Sequence, residues 1–369
     1  MLRHRNFKDE GELALFLRKS VPRDAYVSCA YYEDPAAEMD KKGWKGADLV
    51  FDIDADHIPT PCDKVHDEWQ CGNCGFAGRG AVPQRCPVCG GEKFDGKTWP
   101  CEVCLASAKT EATKLLDMLT DDLGFSKNEI SVYFSGHRGY HAHVQNESIR
   151  TLDAIARKEI VDYVLGVGLY LSSNDARERS RKAFLAHQHQ NLEESGWSKR
   201  LSLGIRNVIL GADGQALMDL GIGRRESKAL LAGRVSLSEA PSGLEIQRNF
   251  KGVGAETWGK IAKRAVETQS ANVDTVVTTD VHRLIRLPET LHGKTGFRKA
   301  GFPLSALSDF DPFSGAIAFK GGFATVLVSN APQFRIGGDT FGPYKNQKVE
   351  LPTAAAMLLV CRGRAEVVD

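Results

Sequence analysis

The segment Leu49-Val50-Phe51-Asp52-Ile53-Asp54-Ala55-Asp56 joins a run of apolar residues to acids at every second position. Because a β-strand directs residues i, i+2 and i+4 to one face, Asp52, Asp54 and Asp56 are predicted to point the same way from a strand end. Carboxylates held this close repel one another unless a cation lies between them, and oxygen ligands favour Mg²⁺ or Mn²⁺. The alternative is a strand that runs into an acidic turn, with Asp56 as a helix cap or loop residue.

The composition is that of an ordinary globular protein, with 369 residues of which 42% are hydrophobic and 26% charged. This length allows a sizeable core and two or three structural units. The net charge of +1 does not indicate a nucleic-acid partner, so any such surface must be local. No apolar run approaches the length of a membrane span, and the basic N-terminus has no apolar signal core. We therefore expect a cytoplasmic protein.

Seven of the nine cysteines fall within residues 62–104, and six of these seven form three CxxC pairs. In a cytosolic chain this spacing indicates metal binding and not disulfides. A redox dithiol is the alternative for one CxxC pair, but two paired CxxCG knuckles predict a zinc ribbon. The ribbon ligands would be Cys71, Cys74, Cys86 and Cys89.

A second zinc site is predicted around this ribbon, with the ribbon inserted between the two halves of its ligand set. The ligands of this nested arrangement would be Cys62, His66, Cys101 and Cys104. The alternative is consecutive: one site takes Cys62, His66, Cys71 and Cys74, and the other takes the last four cysteines. The nested version is favoured because both ribbon knuckles carry a following glycine, whereas the last CxxC pair runs into a helix. Either way each site has four ligands and no open position, which is typical of structural zinc.

A second polar motif, Ser135-Gly136-His137-Arg138-Gly139-Tyr140-His141, follows a predicted strand at residues 130–134. Its glycines allow a tight turn and a close approach to a ligand. The Ser135 hydroxyl, the Arg138 guanidinium and the His141 ring N–H, together with backbone amides, suit a polyphosphate. The alternative is a plain turn between two strands, and we interpret His143 as an ordinary strand residue.

A third motif lies in residues 273–296, where a β-rich run ends at Asp280. Two arginines one helical turn apart follow, Arg283 and Arg286, and then a His-Gly-Lys-Thr-Gly turn with further cationic donors. Acids that hold metals beside bases that hold phosphates are the parts of a metal–nucleotide site. The alternative is an ordinary helix with Asp280 as its N-cap.

The spacing of apolar residues predicts helices over residues 8–19, 105–123 and 148–171, and further amphipathic helices within 203–271. Residues 174–200 are highly charged. We interpret them as a solvated helix and loop, with a nucleic-acid-binding face as the alternative.

Together these motifs resemble the catalytic small subunit of archaeal and eukaryotic DNA primases. The segments that carry the resemblance are residues 43–48 with 51–54, residues 135–141, and residue 280 with 283–288 and 291–296. The Cys/His-rich segment after the first motif also fits the family. The order and type of these features agree over about residues 25–315, and the combination is more specific than any single motif.

The resemblance implies a primase that makes short RNA or DNA primers on single-stranded DNA from nucleoside triphosphates, by two-metal nucleotidyl transfer. It implies that Asp52, Asp54 and Asp280 form the catalytic triad that binds Mg²⁺ or Mn²⁺. The implied nucleotide ligands are Ser135, Arg138, His141, Arg286 and His292. It also implies a partner, the primase large subunit, in a heterodimer.

The implied fold class is α/β (α+β), with a mixed-sheet catalytic core, a zinc-binding knob and ribbon, and a helical subdomain. In chain order the expected parts are the first part of the core (1–61), the knob with its inserted ribbon (62–104), the core (105–171), a mainly helical subdomain (172–271), and the core with a C-terminal tail (272–369).

Three features depart from the family pattern. The ribbon is extra to a single metal knob, His137 stands where many eukaryotic members have a second arginine, and the chain begins later than family members usually do. Two other functions are alternatives: a zinc-ribbon nucleic-acid-binding module with structural acids, and a primase-polymerase of end-joining repair. The repair relatives generally lack the knob, so residues 62–104 favour the replicative type.

Overall fold

The computed structural model describes residues 2–169, 195–234 and 250–368. Most of the charged segment predicted at residues 174–200 lies outside these ranges. The chain divides into two compact units, one of Met1–Thr113, Ser126–Lys158 and Val273–Asp369, the other of Lys114–Phe125 and Glu159–Asn272. The domain boundaries expected from the sequence stay predictions.

The described residues form strands and helices that we number in chain order. The strands are β1 (Tyr26–Ser28), β2 (Ala30–Tyr32), β3 (Trp44–Ala47), β4 (Leu49–Asp54), β5 (Glu68–Cys71), β6 (Ala77–Arg79), β7 (Phe94–Lys97), β8 (Ile130–Phe134), β9 (Gly139–Val144), β10 (Leu284–Arg286), β11 (Gly301–Phe302), β12 (Phe323–Ala331), β13 (Phe334–Ile336), β14 (Asp339–Phe341), β15 (Tyr344–Pro352) and β16 (Ala365–Val367). The α-helices are α1 (Glu10–Ser20), α2 (Glu102–Asp117), α3 (Ala154–Leu165), α4 (Gly196–Gly211), α5 (Gly214–Asp219), α6 (Arg224–Ala232), α7 (Ala255–Gln269), α8 (Thr275–Thr279), α9 (Pro312–Gly315) and α10 (Thr353–Cys361).

The sheets of the first unit are antiparallel in every strand pair of the described residues. The largest has the order β11-β8-β9-β4, two three-stranded sheets have the orders β15-β12-β16 and β6-β5-β7, and the remaining pairs are β1–β10, β2–β3 and β13–β14. The fold is therefore α+β. The resemblance implied a mixed sheet, with both parallel and antiparallel strands, and for the described residues that expectation is wrong. The turn between β8 and β9 is far shorter than the crossover that parallel neighbours need.

Strand β4 is positioned by burial on both of its faces. Leu49, Phe51 and Ile53 on one face are at most 1% exposed. On the other face Val50 packs in a buried cluster with Cys29, Val277 and Ile285. Burying a side chain of this size contributes about 1.5–3 kcal/mol, so the register of the strand is strongly specified. The face that carries Val50 also carries the two acids at the strand end.

Helix α8 occupies the segment for which the sequence analysis expected a β-rich run, and that prediction is wrong. The Asp274 side chain caps the helix, because Oδ1 accepts hydrogen bonds from the backbone N–H groups of Val276 (2.8 Å) and Val277 (3.3 Å). Such a cap stabilises a helix by about 1 kcal/mol and here outweighs the β propensity of valine and threonine. Asp280 follows the helix end, so its alternative role as an N-cap is also wrong. The backbone N–H of Asp274 donates to the Asp52 carbonyl (2.9 Å), which ties α8 to β4.

The second unit has its own apolar core, built mainly from α4 and α7. Trp258, Ile261 and Ala265 recur at helical spacing on one face of α7 and pack with Ile205 and Ile209 of α4. The amphipathic helices predicted within residues 203–271 are thus present in the described part of that range. Helix α3 is shorter than the helix predicted for residues 148–171.

No helix within the described ranges combines the length and the apolar character needed to cross a membrane.

Candidate active site and metal-binding groups

Asp52 on β4 lies opposite His141 on β9 in the antiparallel register. His141 Nε2 is 3.3 Å from Asp52 Oδ1. Burial alone would raise the pKa of the Asp52 carboxyl, but the charge and hydrogen bond of His141 outweigh burial, so this pKa is lowered. The other ring nitrogen, His141 Nδ1, is buried and has no hydrogen-bond partner among the described residues.

Asp54 lies beside Asp52, two positions further along β4. Positive neighbours outweigh the effect of burial on the pKa of Asp52 but not on that of Asp54. Asp54 Oδ1 accepts a hydrogen bond from the backbone N–H of Asp56 (2.8 Å), which holds the 3₁₀ turn after the strand. Burial raises the pKa of the Asp54 carboxyl and the negative Asp52 raises it further, while Arg138 opposes both. Two neighbouring half-buried carboxylates of this kind favour a bound cation.

One further group that could hold a metal ion forms at this strand end. Ligand atoms of Asp54, Asp56 and His137 all lie within 4.8 Å of one another, and Asp52 and Asp280 lie outside this group. No role for His137 was predicted from the sequence. Nothing in the spacing of the motif indicates that its ring turns back towards the acids.

Asp280 is exposed and follows α8. Its Oδ1 accepts a hydrogen bond from the backbone N–H of His282 (2.9 Å). The His282 ring stacks on Tyr32, with centroids 6.1 Å apart, and Trp44 Nε1 donates to the Val281 carbonyl (3.2 Å). The aromatic residues of β2 and β3 thus anchor the segment that carries this acid.

Ser135 shapes the turn between β8 and β9. Its Oγ accepts hydrogen bonds from the backbone N–H groups of His137 (3.3 Å) and Gly139 (3.2 Å). Gly136 has a φ of +90°, and a Cβ there would lie 2.8 Å from His292 Cβ, so this position requires glycine. The Ser135 hydroxyl keeps its own proton to donate, and a phosphate oxygen would be a suitable acceptor.

Two stacked histidines line this turn. The rings of His137 and His292 lie 5.2 Å apart at 18°. Burial, followed by the charges of Arg286 and Lys294, lowers the pKa of His292 to about 3, and burial holds the pKa of His137 well below its usual range. The backbone N–H of Lys294 donates to His292 Nδ1 (3.1 Å), so the neutral ring carries its proton on Nε2. His292 therefore offers a hydrogen-bond donor that carries no charge.

Arg286 on β10 is held by residues that the sequence analysis did not identify. Its Nη1 donates to Asp24 Oδ1 (2.7 Å) and to the Leu291 carbonyl (3.2 Å). Its guanidinium carbon lies 5.2 Å from the centre of the Tyr26 ring. The pairing of β1 with β10 brings Tyr26 opposite Arg286. The two arginines of the third motif do not lie on a helix, because Arg286 ends strand β10 and Arg283 directly precedes it.

Arg138 is 1% exposed and lies between two acids. Its Nη1 donates to both carboxylate oxygens of Asp67, at 3.0 and 2.8 Å, and its Nη2 donates to Asp56. Burial lowers the pKa of the guanidinium to about 10, although Asp54 opposes the shift. Nε has no hydrogen-bond partner among the described residues, so one donor of the predicted phosphate ligand is unused.

The first Cys/His group fits a tetrahedral metal. It consists of Cys62, His66, Cys101 and Cys104, whose ligand atoms all lie within 4.8 Å of one another. Cys62 Sγ lies 3.5 Å from Cys104 Sγ, and His66 Nε2 lies 3.5 and 3.4 Å from these two atoms. Ideal zinc bond lengths give edges of about 3.8 Å between sulfurs and about 3.6 Å between sulfur and nitrogen.

The second group is the ribbon, Cys71, Cys74, Cys86 and Cys89. The Cys71–Cys89 and Cys74–Cys86 sulfur distances are both 3.6 Å. Backbone N–H groups of the first knuckle, chiefly the N–H of Cys74, lower the pKa of the Cys71 thiol to about 6. In the second knuckle the backbone N–H of Cys89 lowers the pKa of the Cys86 thiol. The first cysteine of each knuckle thus favours the thiolate that binds metal, whereas the neighbouring thiols raise the pKa of Cys89 to about 12 against the backbone N–H of Gly91. The side-chain positions match the nested grouping and not the consecutive one.

Comparison with known proteins finds one family repeatedly. The sequence model of the family described as DNA primase small subunit matches residues 93–302. The DNA primase small subunit PriS of Cenarchaeum symbiosum is 33% identical over 365 residues, which cover 99% of this chain and 88% of that protein. The proteins of the same name from Nitrosopumilus maritimus and Methanoregula boonei are 31% and 34% identical, and the matches cover 100% of this chain and 88% and 87% of those proteins.

Proposed function

The chain belongs to the family of DNA primase small subunits, and from this premise we propose that it is the catalytic subunit of a DNA primase that makes short RNA or DNA primers on single-stranded DNA. The substrates would be nucleoside triphosphates. The observation that carries the proposal is the register of β4 and β9, which sets two half-buried acids, Asp52 and Asp54, against the residues that follow the Ser135 turn.

We propose that Asp52, Asp54 and Asp280 hold Mg²⁺ or Mn²⁺. The chemistry of the donors supports this, because all are carboxylates and the charge of Asp52 raises the pKa of Asp54. Divalent ions held there would supply Lewis-acid stabilisation of the attacking and leaving oxygens of an in-line displacement. Asp56 and His137 stand close enough to Asp54 to add ligands to one such ion.

The nucleotide ligands of the proposal are Ser135, Arg138, His141, Arg286 and His292. Three donors support it: the free proton of the Ser135 hydroxyl, the unpartnered Nε of Arg138 and the Nε2 proton of His292. Fixed donors of this kind stabilise charge that develops on a leaving pyrophosphate, and they need no reorganisation at the moment of transfer. The contact with Asp52 would hold the His141 ring in the orientation in which it faces the phosphates.

The two Cys/His groups would hold structural Zn²⁺. Each has four ligands with near-tetrahedral spacing, and four protein ligands leave no position for a substrate. The relatives are small subunits by name, so we propose a heterodimer with a primase large subunit.

Primer synthesis on single-stranded DNA, with labelled nucleotides and Mg²⁺ or Mn²⁺, tests the proposal. Wild type is compared with Asp54→Asn and with a control, Asp339→Asn, which removes an exposed acid from β14. We expect metal-dependent products from wild type and the control, and a loss of at least about 100-fold in Asp54→Asn, since the carboxylate that would hold the metal ion is gone.

Full activity in Asp54→Asn would refute the site. No product from wild type, even with the large subunit added, together with DNA binding that persists without Mg²⁺, would favour the nucleic-acid-binding module.

A further inference from the structure

Asp67 lies in the Cys/His-rich segment but no role was predicted for it there, and it contacts both a metal ligand and Arg138 of the nucleotide-binding turn. It is 5% exposed. Its Oδ1 is 2.7 Å from His66 Nδ1, the ring nitrogen that faces away from the cysteines. A carboxylate on the second nitrogen of a metal-ligating histidine fixes the tautomer and raises the basicity of the ligand.

The same carboxylate is the main partner of Arg138. Arg138 Nη1 donates to both of its oxygens, and the backbone N–H of Trp99 donates to Oδ1 (2.9 Å). The backbone of Asp67 is itself fixed, because its N–H donates to the Lys64 carbonyl (2.8 Å) and its carbonyl accepts from the N–H of Gly80 (3.0 Å). Asp67 is thus a buried charge with a full set of donors and a rigid position.

Arg138 carries this connection to the acids at the end of β4. Its Nη2 donates to Asp56, and its carbonyl accepts a hydrogen bond from the backbone N–H of Ala55 (3.1 Å). Asp56 in turn donates its own N–H to Asp54 Oδ1 (2.8 Å). The hydrogen bonds therefore run without a gap from His66 through Asp67 and Arg138 to the proposed catalytic carboxylate. We call this series the Asp67 bridge.

We propose that Asp67 is a positioning residue that couples the first Cys/His metal group to nucleotide binding through Arg138. The part that concerns nucleotides rests on the proposed function. Two physical reasons support the coupling. A buried guanidinium that loses one of its two carboxylate partners keeps only the other, so Arg138 would shift towards Asp56 or water. A ligand histidine that loses its carboxylate binds metal less tightly.

The experiment compares Asp67→Asn with Asp63→Asn in the full-length protein. The asparagine in Asp67→Asn would keep the shape of the aspartate but lose its charge. Its amide N–H₂ would face groups that are themselves hydrogen-bond donors, so some of the existing hydrogen bonds would be lost. Asp63 lies in the same segment, is exposed and has a φ of +46°, a conformation that asparagine tolerates, so the control removes the same charge without strain.

The first measurement is the rate at which zinc passes to a chromogenic chelator, and it needs no catalysis. We expect one of the two zinc equivalents to leave at least about 10-fold faster from Asp67→Asn than from wild type or Asp63→Asn. Equal release rates in all three proteins would overturn the metal half of the proposal.

The second measurement is the dissociation constant of a fluorescent ATP analogue with Ca²⁺, in a double-mutant cycle with Arg138→Gln. We expect each single variant to bind the analogue about 10-fold more weakly and the double variant to bind no more weakly than Arg138→Gln alone. Such non-additivity is the signature of one residue acting through another, which a general loss of stability would not produce. If Arg138→Gln does not fold, Arg138→Lys takes its place in the cycle.

Additive losses, or an unchanged affinity in Asp67→Asn, would overturn the nucleotide half of the proposal. The outcome is separate from that of the proposed function, because both measurements are made without primer synthesis. A protein that makes no primers yet loses zinc and nucleotide together in Asp67→Asn would refute the proposed function and support the bridge.

Discussion

Gly139 lies directly opposite Asp54 in the antiparallel pair of β4 and β9, and the two backbones meet so closely that no side chain fits between them. A Cβ on Gly139 would lie 2.1 Å from the Ile53 carbonyl oxygen and 3.1 Å from the Asp54 Cα. Because both obstacles are backbone atoms, neither can rotate away. This close approach sets the nucleotide-binding turn against the acids.

Gly139→Ala is expected to destabilise the protein by about 2–3 kcal/mol, because the strands must separate to admit the methyl group. Chemical denaturation measures the loss. The matched control is Gly259→Ala in α7, where a Cβ would meet no atom within 4 Å. There alanine should stabilise by about 0.5–1 kcal/mol. Similar effects at the two sites would contradict the geometry.

Asp54→Asn is expected to stabilise the protein at neutral pH when no divalent ion is present. Burial and Asp52 raise the pKa of Asp54 in the folded state, so the folded protein binds the proton more tightly than the unfolded chain. Stability from this group is therefore present at low pH and falls as pH rises past its unfolded pKa of about 4. Asparagine does not ionise, and its Oδ1 can still accept the Asp56 N–H.

Thermal unfolding with EDTA checks this prediction. We expect a higher midpoint for Asp54→Asn at about pH 7 and no difference near pH 3, below the unfolded pKa. Added Mg²⁺ should raise the midpoint of wild type more than that of the variant. A variant that is less stable than wild type at neutral pH would show that repulsion between the acids is already relieved.

His143→Gln is expected to weaken the acid sensitivity of folding. Burial, with Lys299 and His141, holds the pKa of His143 well below its usual range. The unfolded chain then binds a proton that the folded protein does not, so stability is lost as pH falls below about 6.5. Glutamine removes this proton but can still accept the hydrogen bond from Lys299 Nζ, which lies 3.3 Å from His143 Nε2.

Denaturant titrations between about pH 7 and pH 5 measure this effect. The pH slope of wild type should exceed that of His143→Gln by at most about 1.4 kcal/mol per pH unit, the value for one proton. Parallel slopes for wild type and His143→Gln would contradict the assignment.

Removing a ligand from one Cys/His group is expected to affect nucleotide binding, and removing a ligand from the other is not. Cys104 is fully buried, and its group is joined to Arg138 through Asp67, whereas Cys74 is exposed in the ribbon. Cys104→Ser should therefore lower both the unfolding midpoint and nucleotide affinity. Cys74→Ser should lower zinc content with nucleotide affinity unchanged. Zinc analysis and nucleotide titration of both variants provide the check, and equal losses of affinity would show that the groups act alike.

Local patterns in the sequence predicted the parts of the fold that depend on neighbours along the chain. The alternation of Asp52 and Asp54 behind an apolar run predicted a strand with both acids on one face, and β4 has that arrangement. The CxxCG knuckles likewise predicted the ribbon group, because each knuckle is complete within a few residues. The strand prediction from the β-rich composition failed at Val276 and Val277, where the cap from Asp274 favours a helix.

The partners of the site residues could not be predicted, because they lie far away in sequence. Asp67 is 71 positions from Arg138, and Asp24 is 262 positions from Arg286. No spacing rule joins an isolated acid to an arginine at such a distance. The roles proposed for the site residues rest on the resemblance and stay predictions, while their partners became known only from the structure.

The pairing of β1 with β10 has a consequence for how the protein is made. Translation proceeds from the N-terminus, so Tyr26 leaves the ribosome long before Arg286, its partner 260 positions later, has been synthesised. Until then Val50 has neither Val277 nor Ile285 to pack against, and this apolar surface stays open to other chains. During most of its synthesis the nascent polypeptide therefore exposes an apolar surface of the kind that chaperones cover.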